Sequence, residues 1–143
     1  MSNDEIELVT RGNAAAADFL RVFVAHCHML DDIVDDDRFC DDERMIASET
    51  EWLLALTGNP FFLQHRALLV PLIIQSYNAW LDSNDWALSS DSYKRLAADV
   101  LKGFYHEVVW QVAFLCGGWP HLRAVTTRAR EYDFEPCNKE GVA

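Results

Sequence analysis

Apolar residues recur along most of the chain in steps of three and four, the spacing that lines one side of a helix. Phe19, Val22, Phe23, His26, Leu30 and Ile33 form one such stripe. Asn13 offers an N-cap and Ala14 to Ala17 a favourable first turn, so this helix is expected to reach about Asp35. Before it, residues 1–12 read as an N-terminal arm or short helix interrupted near Gly12. Ser48 with Glu51 makes a capping box for a short helix through Leu56 that stops at Gly58. Asn59-Pro60 caps and opens the next, to about Leu81; Phe61, Phe62, Leu63, Leu68, Leu69, Val70, Leu72, Ile73 and Ile74 make it broadly apolar. That breadth predicts a central, largely buried helix, kinked near Pro71.

Ser89, Ser90 or Asp91 caps a fourth helix to about Cys116, with Tyr93, Ala97, Val100, Leu101, Phe104, Val108, Gln111 and Leu115 as its stripe and Gly103 inside it. Gly117-Gly118 ends that helix and Trp119-Pro120 opens the last, to about Tyr132. No repeat, low-complexity tract or linker divides the chain. The expected fold is therefore all-α: a single-domain bundle of about five helices over 13–132, followed by a loose tail over 133–143.

The 143 residues suffice to bury a core, and 23 acidic against 12 basic side chains give a net charge of -11. That charge argues against nucleic acid or an anionic membrane as a direct partner, while basic proteins, cations and metal-shielded phosphates remain compatible with it. Cys27, Cys40, Cys116 and Cys137 form no Cys-x-x-Cys pair, which removes zinc-ribbon and thioredoxin-type readings. The acidic N-terminus lacks an apolar signal segment and no run approaches the ~18 apolar residues of a membrane span, so the expectation is cytoplasmic, with free thiols.

The chemistry-bearing stretch is His28-Met-Leu-Asp31-Asp32-Ile-Val-Asp35-Asp36-Asp37-Arg38. Its five carboxylates repel one another and sit where the helix dipole is negative, so water, a cation or a partner's charge must offset them. On a helix, His28, Asp31, Asp32 and Asp35 share an arc of about 100° opposite the apolar stripe, facing either solvent or a cavity that gathers a divalent cation. Leu20, Val24 and Cys27 climb one edge of that arc, which suits the wall of an apolar pocket. Along the second half of the helix opened by Pro60 and just beyond it, a second polar stripe, Gln75, Asn78, Asp82 and Asp85, recurs at i, i+3, i+7 and i+10. Aligned with the first acidic end, it would complete a metal site, with Asp31, Asp32, Asp35 and Asp82 as metal ligands and His28, Gln75, Asn78 and Asp85 as ligand-binding residues.

The segment from His28 to Arg38 resembles the first aspartate-rich motif of the trans-prenyltransferases in the isoprenoid synthase superfamily. The resemblance implies an all-α fold in which Asp31, Asp32 and Asp35 hold Mg²⁺ ions that grip an allylic diphosphate, with Leu20 and Val24 as pocket wall. The family's second motif, Gln-x-x-Asp-Asp-x-x-Asp, is matched in spacing by Gln75, Asn78 and Asp82, with Asn78 and Ala79 replacing two aspartates. The chain also lacks the paired arginines after the first motif and is about half the length of a synthase.

Two other functions compete with a metal and diphosphate site. A helical nucleotide pyrophosphatase would use paired acidic residues, which Asp32 with Asp35 and Asp82 with Asp85 approximate. An interaction module, alone or as a homo-oligomer, would instead present Asp31 to Glu43 to a basic protein. His106-Glu107 lies too close in sequence to make a zinc pair, and serine-hydrolase, Rossmann and P-loop signatures are absent.

Overall fold

The computed structural model describes residues 1–35 and 41–133, and among them every regular element is helical. These elements are α1 (Asn3–Thr10), α2 (Ala14–Val34), α3 (Asp42–Gly58), α4 (Pro60–Ala87), α5 (Ser92–Lys102), a 3₁₀ turn at Gly103–Tyr105, and α6 (His106–Asp133). No described helix is long and apolar enough to cross a membrane. Asp36, Asp37, Arg38 and Cys40, and the tail from 134 onward, lie outside the described residues.

Short polar side chains set the starts. Asn13 accepts from the Ala16 amide at 3.0 Å, Asp41 from Arg44 at 2.8 Å, Asn59 from Phe62 at 2.9 Å and Asp91 from Tyr93 at 2.8 Å. The Asp41 cap starts α3 seven residues before the Ser48 box expected from the sequence, and Ser48 lies inside the helix. A carboxylate facing exposed amides at the positive helix end suffices as a start signal. Of the arm or short helix expected before Gly12, residues 3–10 form the helix, capped by Ser2, with Ile6, Val9 and Thr10 buried.

The core is aromatic at its centre. Phe19 of α2 lies against Phe23, Phe62, Phe61 and Trp52, with ring centroids 5.4 to 6.5 Å apart, and is fully buried. Val108, Val109, Val112 and Ala113 of α6 extend this core, α1 packs on α6, and α4 packs on both α3 and α5. Leu20 and Val24, expected as pocket wall, belong to this core instead.

Three further expectations change. α4 runs past Leu81 to Ala87, contains Pro71 without ending there, and is not largely buried: Leu63, Leu68, Val70, Ile74 and Leu81 face solvent. The long fourth helix is instead two helices meeting at the Gly103–Tyr105 turn. Its stripe divides, because Val108 is in the core while Tyr93, Val100 and Phe104 are exposed. Within α6 the chain breaks helical geometry at Gly118 (φ 70, ψ -171), a combination nearly restricted to glycine, which reproduces the expected punctuation at Gly117-Gly118. Beyond the break, the His121 ring lies 2.9 Å by Nε2 from the Val9 carbonyl, tying α6 to α1.

Asn59 does more than cap α4. Its Nδ2 donates to the Ala15 carbonyl at 2.8 Å, fastening the start of α4 to the first turn of α2. Asn59→Ala is expected to cost about 1–2 kcal/mol in denaturant unfolding. Asn59→Asp, which keeps the cap and loses the tie, is expected to recover roughly half of that.

Candidate functional site

The C-terminal half of α2 runs beside the second half of α4, and between them lies a hollow of about 200 Å³. Cys27, His28, Leu30 and Asp31 line it from α2; Ser76, Tyr77 and Trp80 from α4; Lys102 and Tyr105 close it from the end of α5 and the following turn. A second hollow, of about 340 Å³, shares Leu30, Tyr77 and Trp80 and is completed by His26, Glu49, Trp52 and Leu81. Helical period explains the set on α4: Tyr77 and Trp80 are three apart, between that helix's buried face and its exposed apolar stripe.

At the rim of the first hollow, Asp31 Oδ1 accepts from the Trp80 indole N–H at 3.2 Å and lies 3.0 Å from Lys102 Nζ. Asp32 pairs with Arg44 at 2.7 Å. The repulsion within the acidic stretch is thus offset, for these two carboxylates, by side chains of the same chain. Both ion pairs are partly exposed and each contributes only about 0–1 kcal/mol to stability.

The walls are electrically quiet. Burial pushes the Cys27 thiol up to about 12, leaving it protonated and apolar in behaviour. Burial, followed by the neighbouring Cys27 and Glu49, pushes the Tyr77 phenol up as well. His26 is 4% exposed and stacks on Trp52 at 4.8 Å; burial holds its pKa below the ordinary value, against the opposing pull of Glu49. The Glu49 carboxylate is 3.5 Å from His26 Nδ1, too long for a good hydrogen bond. Among the described residues, His26 Nδ1 and the Tyr77 hydroxyl are the buried side-chain polar atoms without a hydrogen-bond partner. Both residues line the second hollow.

The residues nominated from sequence separate here. His28 and Asp31 line the first hollow. Asp32 turns to Arg44, and Asp35 caps the exposed end of α2. Asp82 accepts from Asn78 Nδ2 at 3.3 Å along the exposed side of α4, where Gln75 and Asp85 are also exposed. That polar stripe points away from α4's buried Ser76, Ala79 and Ser83, so Gln75, Asn78, Asp82 and Asp85 are not among the lining residues. The described residues contain no group of three His, Cys, Asp or Glu side chains able to hold a metal, and a cation at Asp31 would have to displace Lys102.

Ser76, Tyr77, Trp80, Lys102 and Tyr105 are among the lining residues of the first hollow that sequence patterning did not select. The phase of Tyr77 and Trp80 relative to the buried face of α4 carried a signal; nothing local marked Lys102, which enters through the packing of α5. No family model matches the chain, and no curated protein or solved structure matches it either.

Proposed function

We propose that the protein binds a small ligand with a short apolar chain and an anionic, diphosphate-type head. The observation that carries this reading is the hollow between α2 and α4, walled by Cys27, Leu30, Tyr77, Trp80 and Tyr105, with the Lys102 ammonium at its rim.

Leu30, Trp80, Tyr105 and the protonated Cys27 thiol accommodate the apolar chain. Lys102 supplies the positive charge for the head, which competes with Asp31 for it. Mg²⁺, expected from the resemblance to prenyltransferases, enters in this reading as the counter-ion of the diphosphate. Such an ion would also reconcile an anionic ligand with a chain of net charge -11. No bond-breaking step is assigned. The alternatives, a nucleotide pyrophosphatase or an acidic surface for a basic protein, are supported by composition and not by side chains converging on a site.

Titration calorimetry with geranyl diphosphate, geraniol and inorganic diphosphate, each with and without Mg²⁺, tests the reading. Geranyl diphosphate with Mg²⁺ is expected to bind tightest. Lys102→Met is expected to weaken it at least about tenfold while changing geraniol little, the loss of one charge-assisted contact. Absence of heat from geranyl diphosphate under both conditions would overturn it.

A further inference from the structure

The second hollow, where α2, α3 and α4 meet, combines aromatic walls with a carboxylate that has no cation. At about 340 Å³ it lies near the low end of the ~300–1,000 Å³ of small-ligand sites. Its rings come from all three helices: His26 from α2, Trp52 from α3, and Tyr77 and Trp80 from α4. His26 and Trp52 are nearly parallel, with planes 13° apart, whereas Tyr77 is tilted 54° to His26 at 6.2 Å. The rings therefore turn a corner instead of forming one flat stack. Leu30 and Leu81 complete the apolar wall.

Glu49 supplies the charge. Its carboxylate is about half exposed, and its ion-pair contact among the described residues is His26 Nδ1 at 3.5 Å. Because burial keeps the His26 ring neutral at pH 7, that contact leaves the carboxylate's charge unbalanced. One turn to either side of Glu49 on α3 stand Met45, Ile46, Trp52 and Leu53, none of them basic. Arg44 is drawn to Asp32 and Lys102 to Asp31, and neither lines this hollow.

The wall has few hydrogen-bonding atoms to offer. His26 Nδ1 and the Tyr77 hydroxyl are themselves buried, and the Trp80 indole N–H donates to Asp31. What faces a ligand is chiefly ring and alkyl carbon, with one carboxylate at the edge. A primary ammonium would enter with three N–H donors to satisfy. A quaternary ammonium has none, and its methyl groups suit aromatic surface.

We infer that this second hollow binds a small quaternary ammonium, with its methyl groups against Trp52, Tyr77 and Trp80 and its charge opposite Glu49. Attraction of the cation to the ring faces and to the carboxylate both strengthen as water leaves the hollow. The inference is independent of the diphosphate reading: the first hollow presents a cation, Lys102, and this one an anion, although Leu30, Tyr77 and Trp80 border both.

Proton NMR titration of choline with the full chain tests it. Ring currents are expected to move the N-methyl resonance upfield in a saturable way. Work in ~0.15 M salt screens diffuse attraction to the net charge of -11. The uncharged analogue 3,3-dimethyl-1-butanol, of nearly the same shape, is expected to bind at least about tenfold more weakly than choline. Glu49→Gln is expected to weaken choline at least about tenfold and to leave the analogue unchanged, an effect that removal of one of eleven excess charges elsewhere would not produce. The half-exposed position of Glu49 allows the change without loss of helicity, which circular dichroism checks. No saturable shift with choline, an analogue that binds as tightly as choline, or choline affinity untouched by Glu49→Gln would each overturn the inference.

Discussion

Phe19→Ala is expected to remove about 3–5 kcal/mol of stability, out of the ~5–15 kcal/mol typical of a domain. The ring is fully buried and touches aromatic side chains from three helices: Phe23 of α2, Trp52 of α3, and Phe61 and Phe62 of α4. Truncation loses the transfer energy of the ring and leaves a cavity that four rigid neighbours cannot fill without leaving their rotamers. For a chain of this length the melting temperature should fall by roughly 10–15 °C. Phe19→Leu, which restores most of the volume, should recover more than half of the loss. A fall of only a degree or two for Phe19→Ala would mean that the aromatic cluster is not the centre of the core.

Acid should destabilise the protein through His26, in a window set by the sign of its shift. Its unfolded pKa is the ordinary 6.5 and its folded pKa is lower, mainly because burial disfavours the charged ring. Above pH 6.5 both states hold the neutral ring and no linkage arises. Below pH 6.5 the unfolded chain takes up a proton that the native protein refuses, so stability falls as pH falls until the folded pKa is reached. The slope is at most ~1.4 kcal/mol per pH unit and is moderated by Glu49, which faces the ring from α3. Tyr77, whose ring centroid is 6.2 Å away, stays neutral throughout this range. Urea unfolding between pH 7 and pH 5 measures the slope. His26→Phe, which preserves the stack on Trp52, should flatten it; an unchanged slope would assign the effect to other groups.

His26 shows how far local pattern reaches. Its place on the Phe19–Leu30 stripe predicts a buried histidine, and it is buried. Its partners were not legible, because Glu49 and Tyr77 come from helices 23 and 51 positions away in sequence. The acidic stretch shows the opposite case. Repulsion among its carboxylates demanded an offset, but whether solvent, a metal or the chain itself supplied it depended on where Lys102 and Arg44 came to rest. The amphipathic pattern of α5 was also correct as a pattern, while its direction relative to the core was not contained in it. A period marks which residues share a side and leaves open what that side meets.

The sequence by itself determined the helical class, the starts at Asn13 and Asn59 and the break at Gly117-Gly118. Those features depend on neighbours within a turn or two: capping atoms, glycine dihedrals and the 3.6-residue repeat. Tertiary structure alone decided that Asp31 meets Lys102 and Trp80, that Leu20 and Val24 go to the core while Tyr77 borders a hollow, and that α5 faces outward. Each of these joins helices distant along the chain, and their relative placement follows from the packing of whole faces, which no short window of residues encodes.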